Sequence, residues 1–124
     1  NGWTAIHFSG LNGSIYVLEA LLEKRLDIMA RTNDGQNVLH ISAYFNHQPM
    51  VKYLIQTYPE LVTQSDNDGN STVHYAAMGA SVPEMETLIQ EGLNITARTN
   101  DGSHVLHKAS GNDNLSMVNH LIKT

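Results

Sequence analysis

Seven histidines stand against no cysteine in this chain of 124 residues, so imidazole is the side chain most able to do metal or acid–base chemistry. Four of them, His7, His40, His74 and His107, recur at spacings of 33, 34 and 33 residues. Four imidazoles could hold one zinc ion only if each nitrogen stood about 2 Å from it. Equivalent helices in a stack lie roughly 8–10 Å apart, so a column with this spacing cannot share an ion. His47, His104 and His120 lie off the column without ligand spacing, and His47 is expected to be dispensable.

Carboxylates offer little more. Asp66, Asp68 and Asn70 alternate as in a calcium loop, but the sixth position is Ser71 where glycine is needed, and the twelfth is Ala77 where a bidentate glutamate is needed. Thiolate nucleophiles, a phosphate-cradling glycine loop and a His-Glu-x-x-His helix are all missing from the sequence. The expectation is a chain without metal, cofactor or catalytic site. Four Asn-x-Ser/Thr triplets, at Asn12, Asn70, Asn94 and Asn114, are chance matches in a chain rich in these residues.

The elements that position these groups follow from the same period. Gly2, Gly35, Gly69 and Gly102 bring "GWTAIHFSG", "GQNVLHISA", "GNSTVHYAA" and "GSHVLHKAS" into register, and "ARTNDG" occurs at both 30–35 and 97–102. Self-similarity of this length marks a repeat architecture. Fifteen residues after each glycine a second apolar block begins, at Val17, Met50, Glu84 and Met117. Both blocks read as helices. Thr4, Asn37 and Ser71 are oxygen-bearing caps for the first, with His104 a weak one, and Pro49 and Pro83 open the second. Asn12-Gly13, Asn46, Gly79 and Asn112-Asp113 separate the two and suit a left-handed turn. "RTNDG", "SDNDG" and "RTNDG" then predict sharp reversals, each a hairpin-like finger leading to the next unit.

A glycine, a Thr-Pro-Leu-His-x-Ala-like segment and a Val-Val-x-x-Leu-Leu-like segment at this period resemble the ankyrin repeat. The resemblance covers the whole chain: repeats 1–33, 34–67, 68–100 and an incomplete 101–124, expected to be a segment of something longer. It implies an all-α solenoid of helix-turn-helix units joined by β-hairpin-like fingers, in which His7, His40, His74 and His107 bond backbone groups of neighbouring loops. Departures are plain. Ala5, Val38, Thr72 and Val105 replace the usual proline; the glycine that ends the second helix survives only as Gly92, with Arg25 in the first repeat and Tyr58-Pro59 plus an inserted residue in the second. Met29, Thr63 and Thr96 stand where an asparagine open to hydroxylation would be.

The function that the resemblance implies is recognition of another protein by the concave face of fingers and first helices. Its contact columns fall on Trp3, Gln36 and Asn70 after the glycines, on Arg31, Asn33, Asn67, Arg98 and Asn100 before them, and on Leu11, Tyr44, Phe45, Met78 and Asn112 late in the first helices. Tyr44-Phe45 stands out, since aromatic residues and arginine dominate interface energetics. The alternative is a structural spacer within a longer array in a channel, scaffold or effector. A net charge of −5 opposes nucleic-acid binding. Apolar runs are far shorter than the ~20 residues that span a bilayer. Without cysteine or a leader pattern, a monomeric, cytoplasmic protein is expected.

Overall fold

In the computed structural model, which describes residues 2–111 and 114–123, each glycine-anchored unit folds as two antiparallel helices. The pairs are α1 (Ala5–Asn12) with α2 (Ile15–Glu23), α3 (Val38–Tyr44) with α4 (Gln48–Thr57), α5 (Thr72–Gly79) with α6 (Val82–Gln90), and α7 (Val105–Gly111) with α8 (Leu115–Lys123). Among the described residues there is no strand, and the chain is all-α. The residues standing in place of the usual proline, Ala5, Val38, Thr72 and Val105, each open a first helix. Thr4, Asn37 and Ser71 are the N-caps in extended conformation. His104 is a better cap than its type suggests, because its Nδ1 accepts the Leu106 N–H at 3.0 Å.

Small residues set how the units stack. Gly10, Ala43 and Ala77 occupy one column; a Cβ on Gly10 would stand 2.8 Å from Val38 Cγ2, and Ala43 and Ala77 are fully buried. First helices therefore approach one another closely, whereas second helices touch sparingly. The asymmetry closes the stack on the first-helix side and splays it on the other. Leu18, Met50, Leu54, Met85, Leu88 and Met117, all wholly buried, fill the space between helix layers.

Each finger is a turn closed by its own backbone. The Gly35 N–H donates to Thr32 O at 2.9 Å and the Thr32 N–H to Gln36 O at 2.9 Å; Asp66 to Asn70 and Thr99 to Ser103 repeat the latter bond. The left-handed glycine of each turn, such as Gly35 with φ 85°, follows an Asp, as a three-residue hairpin loop requires. Fingers are joined to one another by asparagine. The Asn67 amide donates to Asn33 O at 2.9 Å, and the Asn100 amide to Asn67 O at 3.0 Å. Backbone bonds from Asn67 to Asp34 O and Asn100 to Asp68 O run beside them. A Cβ on Gly35 or Gly69 would lie 2.5 Å from the Oδ1 of Asn67 or Asn100, so the ladder needs glycine there for space as well as for φ.

Helix ends show where the repeat signal and the geometry part. Left-handed residues terminate α1 at Gly13, α3 at Asn46, α2 at Arg25 and α6 at Gly92. Arg25 adopts φ 66° in the glycine's place, and the Leu26 N–H still closes onto Leu21 O as a Schellman turn. The second repeat has no such turn: its inserted residue is absorbed by a 3-10 helix, Pro59–Thr63, which buries Leu61 completely. The expectation for Gly79 is corrected. It is the last residue of α5 and has no positive φ; a Cβ there would come within 2.2 Å of Tyr44 O and 2.8 Å of Tyr44 Cδ1, so glycine is required by the approach of Tyr44. Asn112 and Asp113 lie outside the described residues.

Ser81-Val-Pro-Glu84 has the spacing of a capping box. The box does not form, because the Ser81 N–H donates to Asn46 Oδ1 of the preceding unit at 3.1 Å. Glu84 is left fully buried with no partner on either carboxylate oxygen.

Candidate binding groove

The histidine column is tied down at Nδ1 throughout and at both nitrogens in its first three members. Nδ1 of His7, His40, His74 and His107 accepts the N-cap N–H three residues earlier, at 2.9, 3.0, 3.0 and 3.1 Å. Nε2–H of His7, His40 and His74 donates to the carbonyls of Ala30, Gln64 and Ala97 at 2.9, 3.1 and 3.0 Å. Those carbonyls lie in the loop leaving the same unit, so each imidazole closes a unit onto its outgoing finger. This pairing fixes the Nε2–H tautomer and leaves neither nitrogen a lone pair for a metal. Burial pushes the pKa of His7 and His74 down, and that of His40 to about 4, keeping the rings neutral.

His47, expected to be dispensable, is engaged with the preceding unit. Its Nε2–H donates to Leu11 O at 2.6 Å, and its ring lies against Gly13, where a Cβ would stand 2.5 Å from Nδ1. It stands in the N-cap column of the second helices, after Ser14 and before Ser81. Ser81 reaches back to Asn46, and Asn114 to Ala77 O and Ala80 O at 3.2 and 3.3 Å, so these caps tie one unit to the next.

Six residues of α3, Val38 to Ala43, are buried, and then two rings emerge: Tyr44 is 37% exposed and Phe45 44%. They open on a groove of about 330 Å³ lined by Trp3, Gln36, Ile41, Tyr44, Phe45, Tyr75 and Met78. Tyr44 meets Phe45 edge to face at 5.1 Å and Tyr75 at 6.5 Å, while Tyr75 stacks on His40 at 5.0 Å. Its hydroxyl donates to Asp66 Oδ2 and accepts from Gln36 Nε2 at 3.1 Å. Asp66 also accepts the N–H groups of Asp68 and Asn70 on Oδ1. Burial raises its pKa, yet these hydrogen bonds outweigh burial and hold it below the usual carboxylate range. Both oxygens of Asp66 are thus engaged, by N–H groups of its own finger and by Tyr75 of α5.

Of the residues in the expected contact columns, the structure brings Trp3, Gln36, Tyr44, Phe45 and Met78 into this groove. It does not bring in the others. Leu11 does not line it. Arg31 donates to Gly35 O at 3.0 Å and to Ser65 O, bracing two fingers, and Arg98 donates to Gly102 O at 2.8 Å. The Asn67 and Asn100 amides are engaged in the ladder, Asn33 supplies its first carbonyl, and Asn70 is buried beside Asp66. Asn112 is not among the described residues. Sequence reasoning missed Ile41 and Tyr75, which follow the column histidines directly. That adjacency was the available signal, since a residue next to one that points to the loops turns toward the groove.

Comparison with known proteins adds a lineage. Residues 1–65 match the family model described as "Ankyrin repeats (3 copies)", and residues 73–122 match "Ankyrin repeats (many copies)". The chain is 28% identical over 128 residues to "B-cell lymphoma 3 protein homolog" of Mus musculus, covering 100% of this chain and 29% of that protein. It is 32% identical over 112 residues to "Tyrosine-protein kinase Shark" of Drosophila melanogaster, covering 90% of this chain and 12% of the kinase. Over 54 residues it is 41% identical to "Notch-regulated ankyrin repeat-containing protein" of Xenopus tropicalis, covering 44% of this chain and 47% of that one. The chain therefore spans less than a third of the length of the first two relatives and about half of the third.

Proposed function

The chain belongs to the ankyrin repeat family, and from that premise we propose that it grips a partner protein in the groove between its fingers and first helices, with Tyr44 and Phe45 as anchors. Ankyrin repeats are in general protein-interaction modules. The observation that carries the reading is the exposure of two adjoining rings, 37% and 44%, at the end of a helix whose other residues are buried. A chain gains nothing in stability by leaving aromatic area in water, and rings already walled by Trp3, Tyr75 and Met78 offer a partner a preformed apolar pocket. Phosphoryl transfer forms no part of the proposal, since the match to the kinase covers 12% of it.

Tyr44→Ala and Phe45→Ala test it. Truncating a central aromatic anchor costs ~2 kcal/mol or more, so each variant is expected to weaken a captured partner at least ~10-fold with the melting temperature almost unchanged. Normal binding by a folded double variant would sink the reading. The ladder from Asn33 to Asn100 favours a second role, that of a stiff spacer, and a segment acting only as a spacer would show that same indifference.

A further inference from the structure

We propose that the groove is built for a positively charged side-chain head, the ammonium or guanidinium of a lysine or arginine on the partner, seated against the exposed rings of Tyr44 and Phe45, with the buried Tyr75 behind them. This rests on the reading that the groove is the binding face. The first argument is the disposition of the rings. Tyr44 stands at 86° to Phe45 and 87° to Tyr75, so the walls meet nearly at right angles instead of stacking shut. A ring carries negative charge on its faces, and a cation within about 6 Å of a centroid is attracted by it.

The second argument is the charge behind the walls. Tyr75 donates its hydroxyl to the Asp66 carboxylate, and Asp34 lies near enough to help burial and Asp66 hold the phenol in its protonated form. Hydrogen bonds keep Asp66 ionised in spite of burial. Arg31 keeps its charge, which is felt at His40, but its guanidinium is held on the fingers by Gly35 O and Ser65 O. Gln36, whose Nε2–H groups face Tyr75, keeps acceptor capacity on Oε1 beyond its 3.4 Å contact with Thr32. A neutral apolar anchor would fill the same walls but would leave this acceptor and the field of the two carboxylates unused. With a net charge of −5 the whole chain favours approach of a basic partner.

The test uses two small probes of one shape. The chain labelled with ¹⁵N is titrated with tetramethylammonium chloride and, separately, with tert-butanol, at ionic strength matched by sodium chloride. Shifts confined to the resonances of Gln36, Tyr44, Phe45 and Tyr75 are expected with the cation, at an affinity about fivefold above that for the alcohol. They should weaken in Tyr44→Leu and in Tyr75→Phe, which removes the tie to Asp66. Phe45→Leu serves if either variant melts early. Equal affinity for both probes in the groove overturns the cationic anchor while leaving an apolar binding groove standing. Shifts from neither probe, or shifts scattered over the surface, overturn it as well. Should the Ala variants of Tyr44 and Phe45 also bind a captured partner normally, the groove reading falls with it.

Discussion

Glu84 occupies the column in which the neighbouring units place Met50 and Met117, and all three side chains are buried without exposure. Burial pushes its pKa from 4.5 to about 8, and no charged neighbour opposes that shift. A carboxyl whose pKa is raised on folding stabilises the fold below its unfolded value and loses that contribution as pH climbs through the folded one. Stability is expected to decline between pH 4.5 and 8, with a slope approaching 1.4 kcal/mol per pH unit, the worth of one pKa unit. Glu84→Met should flatten that limb and raise the melting temperature at pH 8. Denaturant titrations across the range would show it, and an unchanged alkaline limb would contradict it. His40 acts at the other end. Its pKa is lowered from 6.5 to about 4 by burial, so its contribution is complete above pH 6.5 and is lost as pH falls toward 4. His74→Ala, which leaves the Ser71 N–H and Ala97 O without their partner, should cost roughly 1–3 kcal/mol. His47→Ala should also cost measurable stability through Leu11 O, and a silent His47 would show that its short bond contributes nothing.

At the level of elements, Arg25 and Gly92 make the same left-handed turn with unequal ease. A side chain at φ 66° is strained by its own carbonyl, so Arg25→Gly is expected to gain roughly 0.5–1 kcal/mol, seen as a higher urea midpoint with unchanged slope. These turns also show what the letters could and could not say. Helix starts were legible because Thr4, Asn37 and Ser71 act within three residues of themselves. The fingers were legible because Asn-Asp-Gly closes on its own backbone. Column position alone placed Tyr44 and Phe45 at the end of a first helix, where α3 closes with Tyr44 and Phe45 is its C-cap. Roles decided by a neighbouring unit were not legible. Gly79 looked like a turn residue and proved to be clearance for Tyr44, while Asn46 takes the N–H that Ser81 would otherwise have given to Glu84. The left-handed backbone of Arg25 was hidden for a different reason: the Schellman bonds that impose it are indifferent to side-chain type.

Across the whole molecule, burial of the first helices is greatest at the centre of the stack, in α3 and α5, and falls toward α7. In α3 every residue before Tyr44 is buried, whereas α7 buries Val105 and Ala109, and the column histidine there, His107, is exposed. Amide hydrogen exchange in α7 and α8 should therefore outpace that in α3 to α5, since local opening follows the loss of buried contacts. Uniform protection from α1 to α8 would argue against it. The asparagine ladder has a mechanical consequence. Its amide bonds run along the stacking direction, from Asn100 to Asn67 to Asn33, so a load applied to the two ends passes through each rung in turn. Rungs in series share one tension, and the weakest yields while the others hold. Pulled in a force spectrometer, the chain should lengthen in discrete steps, each releasing one unit and roughly 100 Å of slack, the reach of about 33 extended residues less the thickness of the folded unit.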